Sequence, residues 1–210
     1  MKKSDEKIAV RNTALLINGI PMKTGPRTYV VFGVMRGGTT MVAGLLRAFG
    51  IFMGGNIDAS NQESDDFKAA SPEQRIAAIN DNNAKHPVWG WKHPNAIDEL
   101  EALLPHLRNP HLICIYRDGV ATAQGLNRWH EFEPLRGLYE TLKRHQRNLD
   151  FITSSNVPTI LISYEKAERY KKLFVSQFSN ALGVDPNYDS FDFEGFLQAG
   201  SYKRLESFYR

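Results

Sequence analysis

The chain has 210 residues, 42% hydrophobic and 23% charged, an ordinary globular balance long enough for one domain with a sizeable core. Its formal net charge of +3 suits a small anionic ligand but falls short of the clustered cations of a nucleic-acid binder. The single cysteine, Cys114, lies in the apolar run "HLICIY", so no disulfide or cysteine metal cluster can be drawn and core filler is its expected role. No apolar run approaches the roughly 18 residues of a membrane span. The N-terminal "MKKSDEKIAVRNTALLING" lacks the sustained apolar segment of a secretory signal, so a soluble cytoplasmic protein is expected.

In chain order, residues 1–26 form an N-terminal extension closed by the breaker pair Gly25-Pro26. "RTYVVFGV" follows as a β-branched and aromatic run of the kind that makes a buried strand. From Met41 the period changes: Val42, Leu45, Leu46 and Phe49 share one helical face, and Gly50 is a suitable stop. Ser71, Pro72 and Gln74 supply a cap, a first-turn proline and a capping-box partner for a helix carrying Ile76 and Ile79. "HPVWGW" reads as a short strand ending at Lys92. Ile97, Leu100, Leu104 and Leu107 then space as a helix stopped by Asn109-Pro110. "HLICIY" is the second confident strand. A helix with Leu135, Leu138, Leu142, Leu149 and Ile152 on one face leads to the strand "PTILIS". A last helix through Leu173, Phe174, Phe178 and Leu182 stops at Gly183, and residues 185–210 form a C-terminal segment.

Continuously apolar strands alternating with helices predict an α/β fold of three layers, a mostly parallel sheet flanked by helices on both faces. One domain is expected over residues 1–210. Ligands of such folds bind beyond the carboxyl ends of the strands. Three places qualify: Met35 to Thr40, Lys92-His93 and Arg117-Asp118.

The first place nearly spells the phosphate-binding loop G-x-x-x-x-G-K-S/T, with Gly33, Gly38 and Thr40 in register and Thr39 at the lysine position. Loop amides of Met35, Arg36, Gly37 and Gly38, at the positive end of the following helix, can hold one phosphate, with Arg36 as cation and Thr39 and Thr40 as hydroxyl donors. The missing lysine, with Arg36 as the cation in its stead, argues for a single held phosphate instead of a magnesium-bridged triphosphate. In "IYRDG", Asp118 could help hold a metal ion as in NTPases, whereas Arg117 is a charged fork suited to phosphate. In "WGWKHPN", Lys92 can neutralise charge on a bridging oxygen and His93 can remove a proton from an attacking hydroxyl. Neighbours on a regular strand point to opposite faces, so a shared site requires an irregular turn, which Pro94 permits. His86, His106, His111, His130 and His145 show no metal-ligand spacing, and surface or packing roles are expected for them. In the acidic loop "NQESDDF", Glu63, Asp65 or Asp66 could meet the acceptor or serve as base, though the composition favours a solvated connection.

With these residues assembled, the chain resembles the cytosolic-type and bacterial sulfotransferases, which transfer a sulfuryl group from 3'-phosphoadenosine 5'-phosphosulfate (PAPS). The resemblance runs from about Thr28 to Gly183. "MRGGTT" is similar to the family's P-R/K-S-G-T-T/S loop, with Met35 and Gly37 departing from the proline and serine. The resemblance implies Arg36 on the 5' phosphosulfate. "YRDGVATAQGLNR" matches the 3'-phosphate signature through Arg117 and Asp118 but has Gly119 for the proline and no serine, leaving Gln124 or Thr122 as substitutes. "WGWKHP" looks like the bacterial W-K-D-P segment, with Lys92 near the transferred group and His93 replacing the acid. "ISYEKAERYKKLFVSQFSNALGV" is similar to the Y-E segment and closing helix. The basic C-terminal segment that closes over the cofactor is not recognisable, and Lys203 and Arg204 of "SYKRL" are the candidates for part of its work.

The resemblance implies PAPS as co-substrate, no metal, and a hydroxyl acceptor that is a small molecule or glycan. Two other functions fit parts of the sequence: an ATP- and magnesium-dependent small-molecule kinase, from the glycine spacing and Asp118, and a non-catalytic nucleotide-binding module, from the lost serine and altered loop.

Overall fold

A computed structural model describes residues 12–68, 70–128, 133–200 and 203–210. His130, treated above as a surface or packing residue, lies outside the described residues. Five strands, β1 (Leu15–Asn18), β2 (Arg27–Gly33), β3 (Val88–Lys92), β4 (Pro110–Tyr116) and β5 (Thr159–Ser163), form one sheet in the order β1-β5-β4-β2-β3. All neighbours are parallel except β1, which runs antiparallel to β5. The expected α/β architecture is therefore present, with β1 as an additional edge strand.

The helices are α1 (Thr39–Ala48), α2 (Asp65–Lys68), α3 (Pro72–Lys85), α4 (Leu100–Leu103), α5 (Gly119–Asn127), α6 (Pro134–Ser155), α7 (Tyr164–Arg169), α8 (Lys171–Leu182) and α9 (Phe193–Leu197). Strand alternation separates two cores. Tyr29, Val31, Ile113, Ile115, Ile160 and Ile162 face α1, α8 and α9, while Val30, Phe32, Leu112 and Cys114 face α3, α4 and Ile152 of α6. Trp89 and Trp91 of β3 join the second core and stack with Phe67 of α2, Trp91 at 4.7 Å between ring centroids. Cys114 is fully buried there, and burial pushes its thiol pKa upward.

The capping box at Ser71 and Gln74 forms as expected, and α8 ends at Gly183 with φ 68°. Two expectations are corrected. The apolar series from Ile97 to Leu107 makes no single helix: α4 is flanked by 3-10 turns at Ala96–Asp98 and Leu104–His106, the second containing Pro105, which has no N–H to extend a helix. Leucines 135, 142 and 149 of α6 are exposed (72%, 55% and 43%), and the buried face carries Gly137, Thr141, Asn148 and Ile152 instead. Close approach of α5 sets this orientation, because a Cβ at position 137 would meet the Asn127 Oδ1 at 2.7 Å.

Among the described residues, no helix is long and apolar enough to cross a membrane.

Candidate active site

From β2 the chain moves to β3 on one side, and from β4 it moves to β5 on the other. The carboxyl ends of β2 and β4, paired as far as Gly33 and Ile115, flank the point where the strand order reverses, the place where such sheets bind ligands. Beyond Gly33 the loop closes with the Gly37 N–H donating to the Val34 carbonyl at 2.8 Å. Arg36 (φ 66°) and Gly38 (φ 100°) both take left-handed backbone, turning the loop into the N-terminus of α1. No side chain caps that N-terminus, so first-turn amides and the positive helix end are presented as in an anion cradle. Gly38 is required twice over: its φ favours glycine, and an added Cβ would fall 2.5 Å from the Tyr164 ring.

Arg117 starts where β4 ends. Its Nη1 donates to the Arg36 carbonyl at 2.9 Å, and its guanidinium carbon lies 4.6 Å from the centre of the Tyr164 ring. The Arg117 side chain thus reaches the backbone of the glycine loop at Arg36. Asp118 accepts from the Ala121 N–H at 2.8 Å and caps α5, so this carboxylate serves the helix start. Its own N–H donates to Glu165 Oε1 at 2.8 Å. Gly125 of α5 lies against the Arg36 stem, where a Cβ would approach Arg36 Cβ to 3.0 Å. The neighbouring Gln124 is exposed, whereas the Thr122 hydroxyl is buried and donates to the Asp118 carbonyl at 2.9 Å. Thr122 is therefore set aside as a phosphate contact.

Lys92 ends β3 with its side chain 2% exposed. The ammonium donates to Glu63 Oε1 at 2.6 Å and to the Asn61 carbonyl at 3.0 Å. The same carbonyl accepts from the Thr40 hydroxyl at 3.1 Å, tying Lys92 to the phosphate-loop helix. Burial pushes the Lys92 pKa down, and the Glu63 carboxylate pulls against that shift. His93 leaves the strand in a turn: its N–H donates to the Val31 carbonyl and its carbonyl accepts from Ala96, both at 3.0 Å. The irregular turn required for a shared site is present. Burial lowers the His93 pKa, with Glu63 acting in the opposite sense, so the imidazole is neutral at pH 7. One carboxylate therefore influences both residues.

The solvated-connection expectation for "NQESDDF" is overturned at Glu63, whose side chain is 13% exposed in a buried ion pair. Asp66 accepts from the Gly55 N–H at 3.1 Å and so supports the loop. Nothing local in the sequence distinguishes Glu63 from its acidic neighbours, because its partner lies 29 positions away.

Lys203 and Arg204 do not join this assembly. The Lys203 ammonium caps the end of α9 through the Gly195, Phe196 and Gln198 carbonyls, and Arg204 is exposed. The segment is tied to the far end of α1, where Glu206 lies 3.8 Å from Arg47. At 1.5 Å rise per residue that end is roughly 12 Å from Thr39.

Neither a family model nor a curated protein matches the sequence. Solved structures similar to the chain include two sulfotransferase domains. The sulfotransferase domain from the curacin biosynthetic pathway superposes with a TM-score of 0.51 at 14% identity, covering 78% of this chain and 76% of that one. The sulfotransferase domain from the Synechococcus PCC 7002 olefin synthase gives 0.46 at 14% identity, covering 92% of this chain and 82% of that one. The mostly parallel sheet, its flanking helices and the curacin-pathway likeness together give this chain the fold of a sulfotransferase domain.

Proposed function

We propose that the chain is a sulfotransferase that moves the sulfuryl group of PAPS to a hydroxyl of a small polar or glycan acceptor, without a metal ion. The observation that carries this is the Arg117 guanidinium bonded to the Arg36 carbonyl of the glycine loop at the strand-order reversal, a loop without the usual lysine. A donor with a 5' phosphosulfate and a separate 3' phosphate matches two cationic groups with a single-phosphate cradle.

The loop amides of Met35, Arg36 and Gly38, the Arg36 side chain and the Thr39 hydroxyl hold the 5' side, and Arg117 holds the 3' phosphate; Gly37 and Thr40, expected to join them, give their protons to the Val34 and Asn61 carbonyls and so shape the loop instead. Gln124 is the remaining candidate for the second 3' contact. The acceptor oxygen attacks sulfur in line as the bond from sulfur to the bridging oxygen breaks, leaving its electron pair on the 5' phosphate. Lys92 neutralises that oxygen: an ammonium has three donors, and Glu63 and Asn61 use two. His93, neutral at pH 7, takes the hydroxyl proton, and Glu63 stabilises the imidazolium that results. Positioning and charge neutralisation supply most of the acceleration.

The test is thermal stabilisation by adenosine 3',5'-bisphosphate in the absence of magnesium. Ligand at 100 times its Kd stabilises by about 2.7 kcal/mol, so binding gives a measurable Tm rise. No rise at millimolar ligand overturns the donor assignment. A larger, magnesium-dependent rise with ATP establishes the kinase alternative. Bisphosphate binding without sulfated product across a broad acceptor panel establishes a binding module.

A further inference from the structure

We infer that Arg47 and Gln62 are positioning residues that hold the acceptors of Lys92 in place; their importance for transfer rests on the role given to Lys92 above. Gln62 stands between the two residues that grip the lysine. The Asn61 carbonyl takes bonds from Lys92 and Thr40, and Glu63 supplies the carboxylate. Gln62 itself is 1% exposed and adopts φ 63°, a conformation that a non-glycine residue holds only when its surroundings impose it.

Those surroundings are specific. Gln62 Nε2 donates to the Ala59 carbonyl at 3.0 Å, and its backbone N–H donates to the Asp58 carbonyl at 2.7 Å. The Asp58 N–H in turn donates to the Glu63 carbonyl at 2.9 Å. Gln62 Oε1 accepts from Arg47 Nη1, which reaches across from the last turn of α1. Arg47 is seven residues, roughly 10 Å along the helix, from Thr40. A single helix thus anchors two neighbouring residues of the strap from Asp58 to Glu63: Thr40 fixes the Asn61 carbonyl and Arg47 fixes the Gln62 amide. Removing Arg47 leaves a buried amide oxygen without its charged partner, and water or a new rotamer must replace it. Either change turns the Asn61 carbonyl and the Glu63 carboxylate away from the lysine.

The experiment is competitive acetylation of lysines in the full chain, read by peptide mass spectrometry. Lys172, with its side chain 80% exposed, is the fast reference, and Lys203, held by carbonyls at the end of α9, is the protected control for Gln62→Met, since its segment touches Arg47 through Glu206. In the wild type, Lys92 reacts at least about tenfold more slowly than Lys172, because it reacts only through local opening. In Arg47→Met and in Gln62→Met, Lys92 labelling rises about tenfold, in Gln62→Met with Lys203 unchanged, and Arg47→Lys restores protection. Unchanged Lys92 labelling in both variants overturns the inference. In Gln62→Met, a joint rise at Lys92 and Lys203 also overturns it, since that reports general loosening. Bisphosphate titration of the wild type is a separate arm: no binding removes the donor assignment, while the labelling still decides the positioning roles.

Discussion

In the site proposed above, the donor wall is backbone between Gly33 and Thr40, eight consecutive residues whose glycines and helix start would do the holding. The transfer wall instead takes Lys92 from the end of β3 and its partners from residues 29 and 31 positions earlier. The first wall needs a turn of correct handedness, and the second needs a buried charge matched by a carboxylate. A backbone device depends little on the side chains it carries, whereas a buried ion pair tolerates loss of neither partner.

The sharpest way to break this contrast is Lys92→Met. It leaves Glu63 without its cation in a largely enclosed place, and urea unfolding should show a loss of about 3 kcal/mol. A loss below about 1 kcal/mol would mean that solvent compensates the carboxylate and that the two walls are built alike.

On the donor wall the expected effect is on affinity. Arg117→Ala removes a charged fork, each charge-assisted bond of which contributes about 1.5–3 kcal/mol, and most of the bisphosphate-induced Tm rise should vanish. A full Tm rise in that variant would separate Arg117 from the ligand.

The pH dependence tests whether buried histidines couple to either wall. Burial holds His93, His111 and His145 below the ordinary histidine value of 6.5. For a lowered folded pKa the unfolded chain binds the proton first, so the stability is present above pH 6.5 and is lost as pH falls through the folded values. The slope is at most about 1.4 kcal/mol per pH unit for each histidine. His111 accepts the Met22 N–H at 2.7 Å through Nε2 near the start of β4, far from the crevice. His111→Gln should flatten part of the acid slope in urea titrations without changing bisphosphate affinity. A changed affinity would contradict the separation of the two ends of the sheet.

The smallest effect is expected where neither wall is served. Ser71→Ala removes the N-cap of α3 and should cost about 1 kcal/mol in thermal or urea unfolding, again with unchanged bisphosphate affinity.

What the residues disclose on their own follows the same division. Strands β2 to β5, the Gly33 to Thr40 loop and Arg117 just after β4 are legible because each depends on neighbours within a few positions. Glu63 is not, since an acidic loop reads as solvated until β3 places an ammonium beside it. The face of α6 misleads for a related reason: Leu135, Leu142 and Leu149 satisfy a helical period, but the close approach of α5 at Gly137 decides which side is covered. β1, four residues paired antiparallel to β5, is too short to announce itself by periodicity.

The enclosure of Cys114 has a practical consequence. The only native thiol is fully buried, and its pKa is displaced upward, so thiol-directed dyes have almost no background target in the folded chain. A single cysteine introduced at Ala59 could therefore carry a fluorophore beside Gln62, turning movement of the strap into an optical signal.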